Sequence, residues 1–257
     1  MKGTTITPSA ATKTLTAFAA LFLAGSLAGC DAAAQASTKM AEALHDAAPS
    51  AAAPIAPTSN PEKGAMALQS LATIPVKGRA PKTGYNRDEF GPAWADVDNN
   101  GCDTRNDILA RDLAGETFKP DTSNCVVATG TLEDKYTGTT ISFVRGNKTS
   151  PAVQIDHIVA LSDAWQKGAQ QLSPEQRRQL ANDPLNLMAA DGPTNGAKGD
   201  SDAATWQPPN KAFRCEYVAR QTAVKVKYQL WVTQAEHDAI ADILAACTSS
   251  ASFAISR

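Results

Sequence analysis

The stretch "VQIDHIVAL" (residues 153–161) decides the predicted fold, because an apolar run in it meets an Asp-His pair. The run predicts a β-strand that finishes near Asp156 and His157. Neighbouring side chains of an ideal strand point to opposite faces, so these two residues can serve one site only if the strand twists or ends there. A hydrogen-bonded pair without a catalytic role is the structural alternative.

The stretch "NDPLNLMAADGPTNGAKGDSD" (residues 182–202) supplies three more polar candidates, Asn186, Asn195 and Lys198. Within it, "LNLMAA" predicts a short strand, and the glycine-rich loop that follows leads to a helix that Asn195 enters. Strand, connection, strand, loop and helix in this order predict a ββα unit. Taken singly, the asparagines are ordinary turn or cap residues and the lysine is a solvated charge. Only their joint order favours a site.

Further helices and strands are predicted on both sides of this unit. Residues 103–115 predict a helix that ends at Gly115, and residues 125–146 predict a β-hairpin. A helix capped by Ser162 follows the Asp-His pair, and another begins with a capping box at Ser173. Two helices close the chain as a hairpin. Because strands and helices are segregated and do not strictly alternate, the predicted class is α+β.

The first thirty residues have the pattern of an export signal, with an apolar stretch from Leu15 to Leu27. This stretch is too short to span a bilayer. Its end, Leu27-Ala28-Gly29-Cys30, resembles a bacterial lipobox, which implies cleavage before Cys30 and a lipid on the cysteine sulfur. An ordinary signal peptide with an incidental cysteine is the alternative. Both interpretations predict a mature protein outside the cytoplasm.

Residues 31–80 are rich in Ala, Pro, Ser and Thr, and such a segment cannot bury enough apolar surface to offset its ordering entropy. We predict a disordered tether there, followed by one domain over residues 81–257. The formal net charge of the whole chain is −2. A strongly basic surface that binds nucleic acid by charge alone is therefore not predicted, and an argument for nucleic acid must come from a site.

The remaining cysteines predict disulfides, because an exported chain meets an oxidising environment. The pairs Cys102–Cys125 and Cys215–Cys247 are favoured, since each closes a local loop. The second pair would join the two C-terminal helices. A zinc site made of all four cysteines is the alternative, which the lack of a Cys-x-x-Cys pair disfavours.

The ordered set Asp156-His157, Asn186 and Asn195-x-x-Lys198 resembles the Asp-His…Asn…Asn pattern of the HNH endonucleases, the ββα-metal nucleases. The phrases "TRNDIL", "VQIDHIVAL", "NDPLNL" and "PPNKAFRC" resemble a secreted branch of that family, related to the C-terminal domain of the GmrSD restriction enzymes. The resemblance covers most of residues 81–247. It implies a ββα-metal core flanked by the predicted hairpin and helices.

The resemblance also implies hydrolysis of phosphodiesters with a divalent metal, Mg²⁺ first and Mn²⁺ as an alternative. Asp156 and Asn195 would be the metal ligands. His157 would be the general base, whose ordinary pKa of about 6.5 leaves it mainly neutral at working pH. Asn186 would orient the histidine or its loop, and Lys198 would contact phosphate or stabilise charge in the transition state.

Two further sets of residues are weaker candidates. The stretch "DVDNNGCDTRND" matches a calcium-loop template with Asp96, Asp98, Asn100 and Asp107 as Ca²⁺ ligands, but it ends in Asp where the template has Glu. A capped polar turn is the favoured alternative. Three arginines are candidates for phosphate contacts, with surface ion pairs as the alternative for each: Arg87, Arg105 and Arg145.

The sequence therefore predicts an exported, lipid-anchored HNH-type endonuclease of the cell envelope that cuts DNA, with RNA as a second substrate to be tested. The alternative from another class is a non-catalytic, calcium-binding envelope lipoprotein that binds a wall or protein partner. A hydrolase acting on another phosphodiester polymer is a third interpretation. No obligate protein partner is indicated, and membrane contact is predicted through the N-terminal lipid.

Overall fold

The computed structural model describes residues 61–252, and it describes side chains over residues 62–248. The helices of this part are α1 (Pro61–Leu71), α2 (Thr104–Asp112), α3 (Leu161–Gln166), α4 (Pro174–Asn182), α5 (Gly192–Lys198), α6 (Arg214–Lys227) and α7 (Gln234–Ser252). The strands are β1 (Leu113–Phe118), β2 (Val127–Glu133), β3 (Thr140–Val144), β4 (Val153–His157) and β5 (Leu187–Asp191). The predicted signal peptide, Cys30 and residues 31–60 of the predicted tether lie outside the described residues. Across residues 61–252, no helix is long and apolar enough to cross a membrane.

The described part combines helices with two small antiparallel sheets, which confirms the α+β class. The first sheet has the order β1-β2-β3 and contains the predicted hairpin, and β4 pairs with β5 in the second. The β4–β5 register runs from Val153 opposite Asp191 to His157 opposite Leu187. Helix α5 begins directly after β5 and lies against both strands. Strand, strand and helix thus follow in the predicted order.

Burial on both faces explains why the sequence of β5 is apolar without interruption. The period of two along a strand sends Leu187 and Ala189 into one core cluster and Met188 and Ala190 into another. All four side chains are at most 2% exposed. The β4–β5 sheet therefore lies between two cores, and the end of β4 is held rigidly.

Two predicted helix boundaries are corrected. Helix α2 ends before Leu113, and the residues predicted as its last turn form β1. Gly115 has a φ of 61° inside an irregular pairing of β1 with β2, where it does not end a helix. Helix α3 begins after Ala160 without a side-chain cap, and Ser162 instead donates a hydrogen bond to Asp200 at 2.9 Å. In both cases a distant partner outweighs the local signal. By contrast, the predicted capping box at Ser173 is confirmed.

The predicted tether boundary is also corrected, because the chain is folded from residue 61 onward. Leu71 and Ile74 are 1% and 5% exposed and belong to the core cluster that α6 and α7 line. The Trp231 indole donates a hydrogen bond to the Gly78 carbonyl at 3.0 Å, across a sequence separation of 153 residues. The composition of residues 61–80 favours disorder, but their apolar side chains pack against residues near the C-terminal end of the chain.

Both predicted disulfides form. Cys102–Cys125 joins the loop before α2 to the loop before β2. Cys215–Cys247 joins α6 to α7, as predicted for a C-terminal helical hairpin. The alternative of a zinc site built from these four cysteines is wrong, because a disulfide sulfur has no thiolate to offer a metal.

A buried cluster of charged groups joins α3, α6 and α7. Lys167 and Lys225 are fully buried. Nζ of Lys167 lies 2.7 Å from Asp163, 2.8 Å from Asp202 and 2.6 Å from Glu236. Nζ of Lys225 lies 2.9 Å from Glu236. The whole set, here called the charged cluster, is Arg79, Asp163, Lys167, Asp202, Lys225 and Glu236. It balances three cations against three carboxylates.

Candidate active site

The end of β4 brings two neighbouring side chains to one cleft. His157 is the last residue of the strand, and Asp156 precedes it. Because the strand stops there, both residues line the same depression even though they alternate along the backbone. This cleft has a volume of about 260 Å³. We call it the aspartate cleft; its polar lining comprises Arg87, Asp156, His157, Ser162, Asn195 and Asp200.

Asp156 is held by two partners from distant parts of the chain. Lys198 donates to Oδ1 at 3.0 Å, and the Tyr136 hydroxyl donates to Oδ2. Lys198 is only 1% exposed and also donates to the His157 carbonyl at 2.8 Å. The ammonium group of Lys198 therefore lies inside the fold against Asp156. Lys198 is therefore not the solvated charge that the sequence offered as the alternative, and its contact with phosphate or with transition-state charge stays a prediction.

His157 is buried, oriented and neutral. Its Nε2 lies 2.9 Å from the Ala181 carbonyl. Because a carbonyl only accepts, Nε2 carries the proton, and the lone pair of a neutral ring is on Nδ1. Burial lowers the pKa of His157 to about 4, although the Ala181 carbonyl and Asp156 oppose this shift. Nδ1 has no hydrogen-bond partner within residues 61–252, so it is available to take a proton at neutral pH.

Asn186 holds the loop that leaves β4. Its side chain is fully buried. Oδ1 accepts a hydrogen bond from the Val159 amide at 2.8 Å, and Nδ2 donates to the carbonyls of Val159 and Leu180 at 3.3 Å. The Asn186 carbonyl also accepts from the Ile158 amide at 2.7 Å. These contacts bind the loop after His157 to the end of α4.

Asn195 lies on α5 and lines the aspartate cleft together with Asp156. Its Nδ2 donates to Gln154 at 2.9 Å, which leaves Oδ1 without a partner in the described part. No group of three His, Cys, Asp or Glu side chains in that part is placed to hold a metal. The donor set fits a sparser site, because one carboxylate with unused lone pairs and one amide oxygen suit a hydrated divalent cation.

The three arginine candidates are not equivalent. Arg87 is exposed, lines the aspartate cleft and lowers the pKa of His157 by its charge, after the larger effects of burial and neighbouring groups. Arg105 and Arg145 are half-buried and donate to the carbonyls of Val153 and Val127. Of the three, Arg87 is the guanidinium that faces the cleft.

The calcium-template loop is closed by its own hydrogen bonds. Asp96 accepts from the amides of Asn100 and Gly101 at 3.2 and 3.0 Å. The Asn100 amide group donates to Asp98 and Asp107, each at 3.1 Å. Positive φ values at Asn99 and Gly101 complete the turn. The geometry is that of a capped polar turn, the alternative favoured from the sequence.

Several residues of the site carry no sequence signal of their role. Tyr136 comes from the turn of the β2–β3 hairpin, and Ala181 contributes only a backbone carbonyl. Trp94 stacks on His157 with ring centres 6.1 Å apart and planes 15° apart. Asp200 is the last residue of the predicted glycine-rich loop, so the sequence places it near the site; the others depend on tertiary contacts.

Comparisons with known proteins found one matching family and a similar secreted protein. Residues 103–243 match the family described as GmrSD restriction endonucleases, C-terminal domain. The chain is also 34% identical over 197 residues to a protein of Arthroderma benhamiae described as an uncharacterized secreted protein, and the alignment covers 76% of this chain and 91% of that relative. No solved structure matches the chain significantly. The family match spans more than half of the chain, so this protein belongs to the family of the GmrSD restriction endonuclease C-terminal domain.

Proposed function

We propose that this protein is an exported, metal-dependent endonuclease that hydrolyses phosphodiester bonds in DNA. Family membership suggests nuclease activity, and the secreted relative supports export. The observation that carries the proposal is the convergence of His157, Asp156 and Asn195 on one cleft. Arg87 at the same cleft offers a guanidinium that can pair with a phosphate.

In the proposed mechanism, His157 is the general base. Its Nδ1 takes a proton from the attacking water, while the Ala181 carbonyl holds the ring and its tautomer. Arg87 binds a non-bridging phosphate oxygen and orients the scissile group. Asp156 and Asn195 would hold a divalent ion, Mg²⁺ or Mn²⁺, which supplies positive charge to the phosphoryl and leaving oxygens. Lys198 is a positioning residue that fixes the Asp156 carboxylate.

A plasmid cleavage assay tests the proposal. The purified protein should cut supercoiled DNA in Mg²⁺ or Mn²⁺ and leave it intact in EDTA. Asn195→Leu removes one amide oxygen donor and should raise the Mg²⁺ concentration for half-maximal rate by about tenfold or more. Asn147→Leu is the matched control, because Asn147 is exposed and away from the cleft. If no divalent metal supports cleavage, the result favours the alternative, a non-catalytic lipoprotein that binds a wall or protein partner.

We further propose that the exported protein carries a lipid on Cys30, supported by the tetrapeptide Leu27-Ala28-Gly29-Cys30. Intact-mass spectrometry of the membrane fraction should find a chain that begins at Cys30 and is heavier than the bare polypeptide. Cys30→Ala should release the protein from that fraction. A mature N-terminus at any other residue contradicts the anchor and leaves the nuclease proposal untouched.

A further inference from the structure

A second pocket adjoins the aspartate cleft and shares Arg87 and His157 with it. Its volume is about 90 Å³, enough for several water molecules or the polar edge of a ligand. We call it the tryptophan pocket; it is lined chiefly by Arg87, Phe90, Gly91, Trp94, His157 and Asn182. Nothing in the proposed mechanism uses Trp94 or Asn182, so their arrangement calls for its own explanation.

Asn182 presents a buried hydrogen-bond acceptor that lacks a donor. The residue is 1% exposed. Its Nδ2 donates to the Arg178 carbonyl at 2.9 Å. This contact fixes the orientation of the amide, because the flipped amide would place Oδ1 against the carbonyl oxygen, and two acceptors repel. Oδ1 has no partner in the described part. A buried acceptor without a donor is unfavourable, so a ligand that brings an N–H or O–H group can recover the lost hydrogen bond.

Trp94 forms a flat wall of the pocket in a strained conformation. It is not a glycine, yet its φ is 60°. The left-handed region is unfavourable for a bulky residue, and such strain clusters at ligand sites. The indole stacks on His157, so the pocket wall is tied to the proposed base. Both Arg87 and Trp94 precede residues 103–243, the part that matches the family.

We propose that the tryptophan pocket receives the polar edge of the nucleoside next to the scissile phosphate, and that Asn182 Oδ1 accepts a hydrogen bond from it. This inference rests on the proposed function. Arg87 borders both cavities, so a phosphate held there leaves the adjoining nucleoside beside the tryptophan pocket. The donor is either the exocyclic amino group of a base or the ribose 2′-hydroxyl. Thymine lacks the exocyclic amino group and keeps only its ring N3–H, and deoxyribose lacks the hydroxyl, so the homopolymers separate the exocyclic amino group from the 2′-hydroxyl.

The test compares Asn182→Leu with Gln179→Met. Each variant replaces an amide by an alkyl group of similar size on α4, but Gln179 lies outside the pocket and pairs with Glu175. Binding of fluorescein-labelled homopolymers of deoxyadenosine, deoxythymidine and adenosine is measured by anisotropy in EDTA, where the substrate is not cut. The wild type should prefer one donor-bearing polymer by about threefold to tenfold, the range expected for one hydrogen bond.

Asn182→Leu should remove that preference, and Gln179→Met should keep it. Loss of the deoxyadenosine-to-deoxythymidine ratio identifies the base amino group; loss of the adenosine-to-deoxyadenosine ratio identifies the 2′-hydroxyl. If both ratios are the same in Asn182→Leu and the wild type, or if the wild type binds none of the polymers, the pocket assignment is overturned. A protein that shows the preference but cuts nothing in Mg²⁺ or Mn²⁺ refutes the nuclease proposal alone.

Discussion

Replacing His157 with alanine should lower the rate of phosphodiester cleavage by about 10²–10⁴-fold, the range found when a general base is removed. The physical reason is that Nδ1 is the unpaired nitrogen of a neutral ring beside the aspartate cleft. Burial keeps the pKa of His157 low, so the lone pair is free at neutral pH. The measurement is the initial rate of plasmid cleavage in saturating Mg²⁺.

Two further variants separate chemistry from packing. His157→Gln keeps an N–H that can donate to the Ala181 carbonyl but cannot take a proton, so it should be as inactive as the alanine variant and closer to wild type in melting temperature. His237→Ala is the matched histidine control, because His237 pairs with Asp238 in the terminal helix. Cleavage by His157→Gln at the wild-type rate would exclude His157 as the base.

Replacing Lys167 with methionine should destabilise the fold by about 3–5 kcal/mol, the usual cost of removing one partner from a buried ion pair. Lys167 is fully buried and contacts three carboxylates, those of Asp163, Asp202 and Glu236. Methionine fills a similar volume but leaves these charges short of one cation. The free energy of unfolding, from urea titration followed by tryptophan fluorescence, measures the effect. Lys148→Met, at an exposed position, should change it by less than about 0.5 kcal/mol.

The same variant should change the acid stability. Burial alone would raise the pKa of Asp202, but hydrogen bonding and charge from Lys167, assisted by Thr205 and Arg79, hold it well below its ordinary value. The unfolded carboxyl titrates near pH 3.9, so the unfolded chain takes up the proton first. This stabilisation is present above about pH 4 and is lost as the pH falls through the folded pKa. Without Lys167, acid unfolding should begin at a higher pH. An unchanged acid transition would mean that Lys167 does not set the ionisation of Asp202.

Local signals in the sequence predicted much of the frame. The capping box at Ser173 and the hairpin over residues 125–146 depend on contacts within a few residues or across one turn, so their patterns are visible in one stretch. The pairing Cys102–Cys125 is also short-range, with a separation of 23 residues. By contrast, α1 was not predicted, because the composition of residues 31–80 favours disorder and the partners of α1 lie in α6 and α7.

The candidate site, too, was predictable from the sequence only in part. The order of Asp156, His157, Asn186 and Asn195 along the chain predicted a site, and the structure brings Asp156, His157 and Asn195 to the aspartate cleft. The burial of Lys198 against Asp156 was not predictable, because the two are 42 residues apart and an isolated lysine favours water. Only the enclosed site, where the carboxylate offsets the cost of removing the ammonium from water, reverses that preference.

By itself, then, the sequence determined the α+β class, the β4–β5–α5 order and the disulfide pairs. Tertiary structure alone decided the tautomer of His157, the partners of Asp156, the unpaired oxygen of Asn182 and the folding of residues 61–80 into the domain. The reason is the sequence range of the interactions. Caps, turns and strand periodicity act between near neighbours in the sequence. Desolvation of a side chain depends on every group that packs around it, and those groups come from anywhere in the chain.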